Sequence, residues 1–359
     1  MPAQLNSPVS HSPVEYAVLL CLIGGSVLLA WTPAVWLVQT WFAPGYDRFG
    51  MVVFCLVLGL MLWSWTSPKR SLAGGASDAT ATDRLMWLLL VASACLRLLA
   101  QLLDINVVGA LLLCVDVYAI ARLAGLADRE RTVSPFWLGA LFCFCLPLEP
   151  MLQRVLGYGL QQVSAAVACG MLQPFDVTCE GLRLQLAARD VLVDLPCSGA
   201  QLLSTIGVVF CGLNVLRPPA PRWVIPALCL CLLLAILGNG LRISLLALGI
   251  AYAELVGVDV MLPLPHTLVG LAVISLVALV LFTLLERLPR QAASLHCAAP
   301  IAGGAQSTSQ SLVTWSRSIF AASFLAFAAA VGSIESQPVD ASPSLIPPDA
   351  PLAAAGFFA

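Results

Sequence analysis

Three residues with the chemistry of an acyl-transfer site occur in the C-terminal half of the chain. Cys197 lies in the segment DLPCSG, Arg242 in NGLRI, and His266 at the start of a later apolar run. A thiolate is a strong nucleophile, and a nearby imidazole can take and return its proton. A guanidinium stays charged at physiological pH and can stabilise an oxyanion. We therefore predict Cys197 as the nucleophile, His266 as the general acid and base, and Arg242 as the group that stabilises the oxyanion or the substrate.

Each of these residues also has a simpler interpretation. Most of the thirteen cysteines lie in apolar runs, where Cys packs as a small hydrophobic residue. An Arg near a helix end commonly extends to the membrane interface, and a His at a helix start can be solvated or act as a cap. However, His266 is the only His in the apolar body of the chain, and Arg242 interrupts a run that is otherwise uncharged from 223 to 253. Because ionisable groups in membrane helices are costly, the combination favours a functional site.

Two further polar residues are candidates for supporting roles. Asn239 lies one helical turn before Arg242, where it could bind the Arg or the substrate, or form an interhelical hydrogen bond. Ser198 could donate to the oxyanion, but an N-cap of the next helix is the favoured interpretation. Asp194 could orient His266, but an Asp in a hairpin is usually solvated, and we place it outside the site.

The composition predicts the elements that must position these residues. Of 359 residues, 60% are hydrophobic and only 10% are charged, and the mean hydropathy is +0.94. Soluble proteins carry about a quarter charged residues. The apolar runs do not alternate with polar residues, so we predict an all-α polytopic membrane protein. No basic stretch indicates nucleic acid as a partner, and with no CxxC and three scattered His we expect no metal or other cofactor.

Basic residues in four short loops predict the topology. Since Lys and Arg favour the cytoplasmic side, all four loops should lie inside. This gives about eight core spans plus one near the C-terminus, with the N-terminus inside and the C-terminus outside. The first apolar run lacks a basic leader and is predicted to be retained. A span at 155–172 would place the basic loop with Arg217 and Arg222 outside. We therefore predict that this polar run is an amphipathic helix in the outer leaflet. The four loops contain Lys69, Arg70 and Arg84; Arg122, Arg129 and Arg131; Arg217 and Arg222; Arg287 and Arg290.

This topology places the three candidate residues at one depth. Arg242 lies twenty residues beyond Arg222, which is about 30 Å along a helix and nearly the full hydrocarbon thickness. Cys197 and His266 each begin a run that enters the membrane from the outside. Residues 182–186 and 191–195 alternate with period two, which predicts a small β-hairpin that leads to Cys197. A disulfide between Cys179 and Cys197 is conceivable in an oxidising compartment, but it would block catalysis and is not expected.

The chain divides into five predicted regions. They are an N-terminal region of about five spans (1–150), a catalytic core (151–290), a cytoplasmic linker (291–316), an extra C-terminal span (317–333) and a disordered outer tail (334–359). Arg97 and Asp116 lie at similar depths in adjacent predicted spans, which predicts a structural ion pair.

These motifs resemble those of the exosortase/archaeosortase family, over about 153–285. Cys197 matches the Cys-Ser-Gly motif, Asn239 and Arg242 match Asn-x-x-Arg-[Ile/Val], and His266 matches the family's His, followed by Gly270. Pro196 departs from the small residue that the family often has before the Cys. This change affects the turn rather than the nucleophile.

The resemblance implies a cysteine transpeptidase or protease in the bacterial inner membrane, with its active site facing the periplasm. Its partners would be membrane-anchored proteins that carry a C-terminal sorting signal of the PEP-CTERM type, and exopolysaccharide production often accompanies such enzymes. Two alternatives stay open at this point. One is a non-catalytic transporter or exopolysaccharide-export component, and the other is a structural partner in an envelope assembly.

Overall fold

The computed structural model describes residues 13–43, 49–70, 76–186, 189–193, 199–252 and 262–289. The predicted linker, C-terminal span and tail lie outside these residues, and so do Asp194, Cys197 and Ser198. Within the described part, the chain is mostly helical. The nine α-helices are α1 (Pro13–Phe42), α2 (Phe49–Trp65), α3 (Ala76–Leu102), α4 (Asn106–Leu123), α5 (Pro135–Phe142), α6 (Leu148–Leu172), α7 (Ala200–Leu216), α8 (Val224–Ala251) and α9 (Pro263–Glu286).

Helix lengths agree with a multi-pass membrane protein, although the predicted number of spans is not confirmed. Five helical segments among the described residues are long and apolar enough to cross a membrane. Three apolar helices are shorter, namely Phe49–Trp65, Pro135–Cys145 and Ala200–Leu216. The apolar run 135–149, one of the spans expected from the sequence, is broken because α5 ends in a 3-10 turn, Cys143–Cys145, followed by Pro147. At 1.5 Å per residue this helical segment rises only about 16 Å, which is too short for a whole span.

Helix α6 begins before the predicted run 155–172. The segment Leu148–Phe175 is long enough to cross a membrane, so the predicted position in the outer leaflet depends on loop charge alone and stays a prediction. The polar residues that suggested an interfacial helix do not all face outward. Gln161 and Ser164 are buried against the protein, whereas Val155 and Tyr158 are exposed. Gln161 and Ser164 therefore serve internal packing.

Two basic loops meet at one end of the bundle. The backbone N–H of Arg70 donates to Asp128 at 2.9 Å, and that of Glu130 donates to Pro68 at 3.1 Å. The guanidinium of Arg129 lies 4.6 Å from the ring centroid of Trp65. The α2–α3 and α4–α5 connections thus lie on the same side, as the charge pattern predicts.

The other two basic loops share that side. Arg217 forms an ion pair with Glu286 at 3.4 Å, next to a backbone hydrogen bond from Ala220 to Pro289. The N–H of Ser134, just before α5, donates to Val215 at 2.8 Å, and this bond joins the two pairs of loops. All four basic loops therefore lie at one end of the helix bundle.

A small sheet covers part of the opposite end. Its strands are β1 (Thr178–Glu180), β2 (Arg183–Leu186) and β3 (Arg189–Leu192), which pair antiparallel in the order β1-β2-β3. The predicted hairpin is present, but β3 begins at Arg189, within the predicted connection. Strand β1 was not predicted, since three residues are too few for a recognisable alternation. Leu184 and Val193 are buried and pack on Ala168 of α6 and Ala247 of α8.

The predicted ion pair joins α3 and α4. Arg97 is fully buried, and its guanidinium donates to the carboxylate of Asp116 and, at 3.0 Å, to the hydroxyl of Ser93. A further N–H reaches the backbone carbonyl of Ser26 on α1 at 3.4 Å. The pair therefore joins three helices by polar contacts in an apolar environment.

We expect Arg97→Ala and Asp116→Ala each to destabilise the protein by about 3–5 kcal/mol, because each leaves a buried charge without its partner. The exchange Arg97→Asp with Asp116→Arg should restore part of the loss. The measurement is membrane accumulation together with the midpoint of thermal unfolding in detergent. The assignment is wrong if the exchanged protein accumulates no better than the single variants.

Candidate functional site

Arg242 and His266 are in direct contact, at the end of the bundle opposite the basic loops. Arg242 Nη2 lies 3.0 Å from His266 Nε2. A guanidinium can only donate hydrogen bonds, so Nε2 must accept, and the imidazole is neutral with its proton on Nδ1. Two residues that are 24 positions apart in sequence thus form one polar unit between α8 and α9.

Arg242 does not extend to the interface as a lone Arg near a helix end commonly does. The residue is 8% exposed, and α8 continues beyond it to Ala251. Burial of a permanent charge is costly unless polar partners surround it. The contact with His266 is therefore part of what holds the guanidinium in place.

The start of α9 explains the spacing between His266 and Gly270. Leu262 is the N-cap and Pro263 occupies the first helical position, where Pro is well tolerated. His266 thus lies in the first turn, and Gly270 lies one turn later on the same face. A Cβ added at Gly270 would lie 3.5 Å from Arg242 Nε. Gly270 is buried, and a Cβ at this distance would make an ordinary van der Waals contact with the guanidinium, which shows that α9 packs against Arg242 here.

Gly199 and Asn239 bring the start of α7 to this site. Gly199 has φ 89°, a conformation that favours glycine. A Cβ at this position would lie 2.8 Å from the Asn239 side chain, so two independent constraints require glycine here. Asn239 is 1% exposed. The start of α7 therefore packs on the residue one turn before Arg242.

The predicted N-cap needs a correction. Helix α7 begins at Ala200 with Gly199 as its N-cap and no side-chain cap hydrogen bond. Ser198 is therefore one position too early, because the helix starts only after the left-handed turn at Gly199. Of the predicted site, the structure brings Arg242 and His266 into contact and places Asn239 one turn away on α8. Cys197 and Ser198 lie outside the described residues, so the nucleophile role of Cys197 and the oxyanion role of Ser198 remain predictions.

Helix α6 supports the site from the other side of α8. The side-chain amide of Gln161 donates to the carbonyl of Val193, at the end of β3. A Cβ at Gly240 would lie 2.3 Å from Val167, so α6 and α8 approach closely there. Ser244 also donates to the carbonyl of Ala168 at 3.4 Å. Residue type alone did not single out Gln161, because its partner is a backbone carbonyl 32 residues away.

A disulfide joins Cys169 on α6 to Cys179 on β1. The possibility of a bond between Cys179 and Cys197 is thereby replaced, because β1 lies over the end of α6. The two cysteines are only ten residues apart, on either side of the connection after α6. This proximity in sequence is the signal from which the disulfide could have been predicted. The bond leaves the Cys197 thiol outside this pairing.

The other described cysteines are consistent with packing. Four of them, Cys114, Cys145, Cys211 and Cys231, are buried as free thiols in the hydrophobic core of the helix bundle. They contact apolar side chains and helix backbone, as expected for small hydrophobic residues.

We expect Cys169→Ser to lower the free energy of unfolding by about 2–3 kcal/mol, because the disulfide closes a loop in the unfolded chain. The measurement is the thermal midpoint in detergent, with maleimide labelling of unfolded protein before and after reduction. Cys95→Ser, at an exposed free cysteine, is the control. It should change neither the stability nor the number of thiols that reduction releases. Labelling of Cys179 in unreduced, unfolded wild type would contradict the assignment.

Comparison with known proteins adds one match. Residues 41–283 match the family model of the transmembrane exosortases. The matched range begins at the end of α1 and includes the start of α7, Arg242 and His266. No curated protein and no solved structure matches the chain.

Proposed function

The chain belongs to the transmembrane exosortase family, and we propose that it is a cysteine transpeptidase or protease acting on membrane-anchored proteins. Its substrates carry C-terminal sorting signals of the PEP-CTERM type, and it cleaves them through a thioester. The observation that carries the proposal is the partly buried contact between Arg242 and His266 beside the start of α7. Chain connectivity limits the Cα atoms of Cys197 and Gly199 to about 7.6 Å apart, which keeps the nucleophile near this contact.

The chemistry follows from the three residue types. His266 accepts the proton of the Cys197 thiol as sulfur attacks the scissile carbonyl, and Arg242 donates hydrogen bonds to the oxyanion. When the tetrahedral intermediate collapses, the C–N bond breaks and His266 returns the proton to the leaving amine. The acyl group then remains on Cys197 as a thioester. An amine or water attacks this thioester, gives its proton to His266 and releases the thiol.

The Arg–His contact suits a site that is at rest without substrate. In this state Arg242 occupies the lone pair of His266 Nε2, the atom that would take the thiol proton. A substrate carbonyl offers the guanidinium a better acceptor as negative charge develops on its oxygen. Transfer of the hydrogen bond from His266 to the substrate then leaves Nε2 available as the base.

The same features support a location in the inner membrane with the site facing the periplasm. The basic loops lie at the end of the bundle opposite Arg242, as expected if they face the cytoplasm. The Cys169–Cys179 disulfide lies at the site end, and disulfides persist in oxidising compartments. An association with exopolysaccharide production follows from the family resemblance.

The transporter alternative depends on charged residues within the membrane. Arg97 and Asp116 are such residues, but they pair with each other. Arg242 contacts His266 at the end of the bundle opposite the basic loops rather than continuing a polar path from that pair. A structural role for Arg97 and Asp116 therefore accounts for their presence without transport.

Replacement of Cys197 by Ala or Ser in the native host tests the proposal. We expect processing of a host protein with a C-terminal sorting signal to fall at least 100-fold, since no thioester can form. His266→Ala and Arg242→Ala should cause losses of similar size, and Arg242→Lys should recover only part, because Lys lacks the fork of the guanidinium. Immunoblotting measures the ratio of processed to unprocessed substrate.

Cys211→Ala is the matched control, since Cys211 is a buried free cysteine on the same helix that Cys197 precedes. This variant should process the substrate like wild type. Normal processing by a Cys197→Ala protein that accumulates in the membrane would disprove the assignment of Cys197 as the nucleophile. The transporter alternative would then be favoured.

A further inference from the structure

Among the residues that the structure describes, strand β3 is an edge strand of the sheet. The N–H of Val193 donates to Leu182 at 3.0 Å, so Val193 points its backbone polar groups toward β2. Because successive residues of a strand alternate, Asp190 and Leu192 point theirs away from β2. The sheet order is β1-β2-β3, and no further strand pairs with β3 among the residues that the structure describes. Both Asp190 and Leu192 are exposed, and Leu192 is 58% exposed.

The packing of the helices shows which way this edge faces. Helices α6 and α9 each contact both α7 and α8. Two helices that each contact the same neighbouring pair must lie on opposite sides of it. Helix α8 therefore has α6 on one side and α9, with His266, on the other.

The sheet extends across α8 in the same direction. Strand β1 is tied to α6 by the disulfide at Cys179. Strand β2 contacts both α6 and α8, and β3 contacts α8. The order β1-β2-β3 thus begins over α6 and ends over α8, while Val193, just after β3, also accepts a hydrogen bond from Gln161 of α6. The outer edge of β3 therefore lies on the side of the sheet that contacts α8, the helix that carries Arg242.

We infer that the free edge of β3 binds the substrate segment around the scissile bond as an added β-strand. This inference rests on the proposed function and names how that site holds its peptide. Strand β3 ends at Leu192 and the chain continues within five residues to Cys197. Five residues of extended chain span at most about 18 Å, so a peptide paired with β3 would lie within that reach of the nucleophile.

The chemistry of the edge fits an extended peptide. Asp190 and Leu192 together present two N–H donors and two carbonyl acceptors, the pattern that strand addition uses. These backbone bonds accept almost any sequence, while the exposed Leu192 side chain offers an apolar contact. Only every second residue of the bound peptide would direct its backbone N–H and C=O toward β3. The residues between them could therefore lack an N–H without loss of a hydrogen bond to β3.

A proline scan of the substrate tests this alternation. Single prolines are placed at six consecutive positions next to the cleavage site of the host substrate named above, and processing is measured by immunoblot. We expect at least a tenfold loss at every second position and little change between them, because proline removes an N–H only where that N–H faces β3. A uniform loss, or no loss at any position, would overturn the inference.

A pair of enzyme variants tests the same edge from the other side. Leu192→Pro removes the outward N–H but keeps the pairing with β2, and should lower processing at least tenfold. Leu192→Ala keeps the N–H, and should lower processing less than threefold. Formation of the Cys169–Cys179 disulfide, measured by thiol labelling, shows that the sheet is intact in both. Equal processing by both variants would overturn the inference.

Cross-linking identifies what covers the edge. A photoreactive amino acid at position 192, in the Cys197→Ala background, should yield an adduct with the unprocessed substrate. An adduct only with a second copy of this chain, or only within the chain, would show that the edge is already occupied and would overturn the inference. If wild type processes no substrate, the proposed function itself fails. Processing that depends on Cys197 but shows no alternation disproves only the edge role.

Discussion

The cost of burying Arg242 in an apolar environment governs the arrangement of the site. A permanent charge that is 8% exposed needs polar contacts, and His266 provides one of them. This contact requires the first turn of α9 to lie against α8 at the depth of Arg242. Gly270 lies at this contact, where a Cβ would be 3.5 Å from Arg242 Nε. The packing of α9 on α8 at this depth therefore follows from the polar contact that the buried charge requires.

The same requirement acts in the N-terminal half of the molecule. Arg97 is fully buried, and its contacts with Asp116, Ser93 and Ser26 fix α3 and α4 against α1. There the charge is neutralised locally by a carboxylate. At Arg242 the contact is with the imidazole of His266. The two buried guanidinium groups thus have partners of different chemistry, a carboxylate at Arg97 and an imidazole at Arg242.

A second scaffold holds the three-stranded sheet. Gln161 holds the end of β3, the disulfide holds β1, and the close approach at Gly240 holds α6 against α8. The strands that lead to Cys197 are thereby connected to the helix that carries Arg242. A small hydrophobic cluster, in which Leu184 and Val193 contact Ala168 and Ala247, adds apolar packing to this connection.

The sequence by itself determined the helical membrane class, the shared side of the basic loops, the hairpin and the Arg97–Asp116 pair, and it marked Arg242 and His266 as candidates. Each is readable because it depends on local patterns: runs of apolar residues, period two, or rare charges within apolar runs. The tertiary structure alone decided the contact between Arg242 and His266, the partner of Cys179, the bond from Gln161 to Val193, the break after α5 and the N-cap at Gly199. These depend on which surfaces meet across many positions in the chain, and no local pattern encodes such contacts.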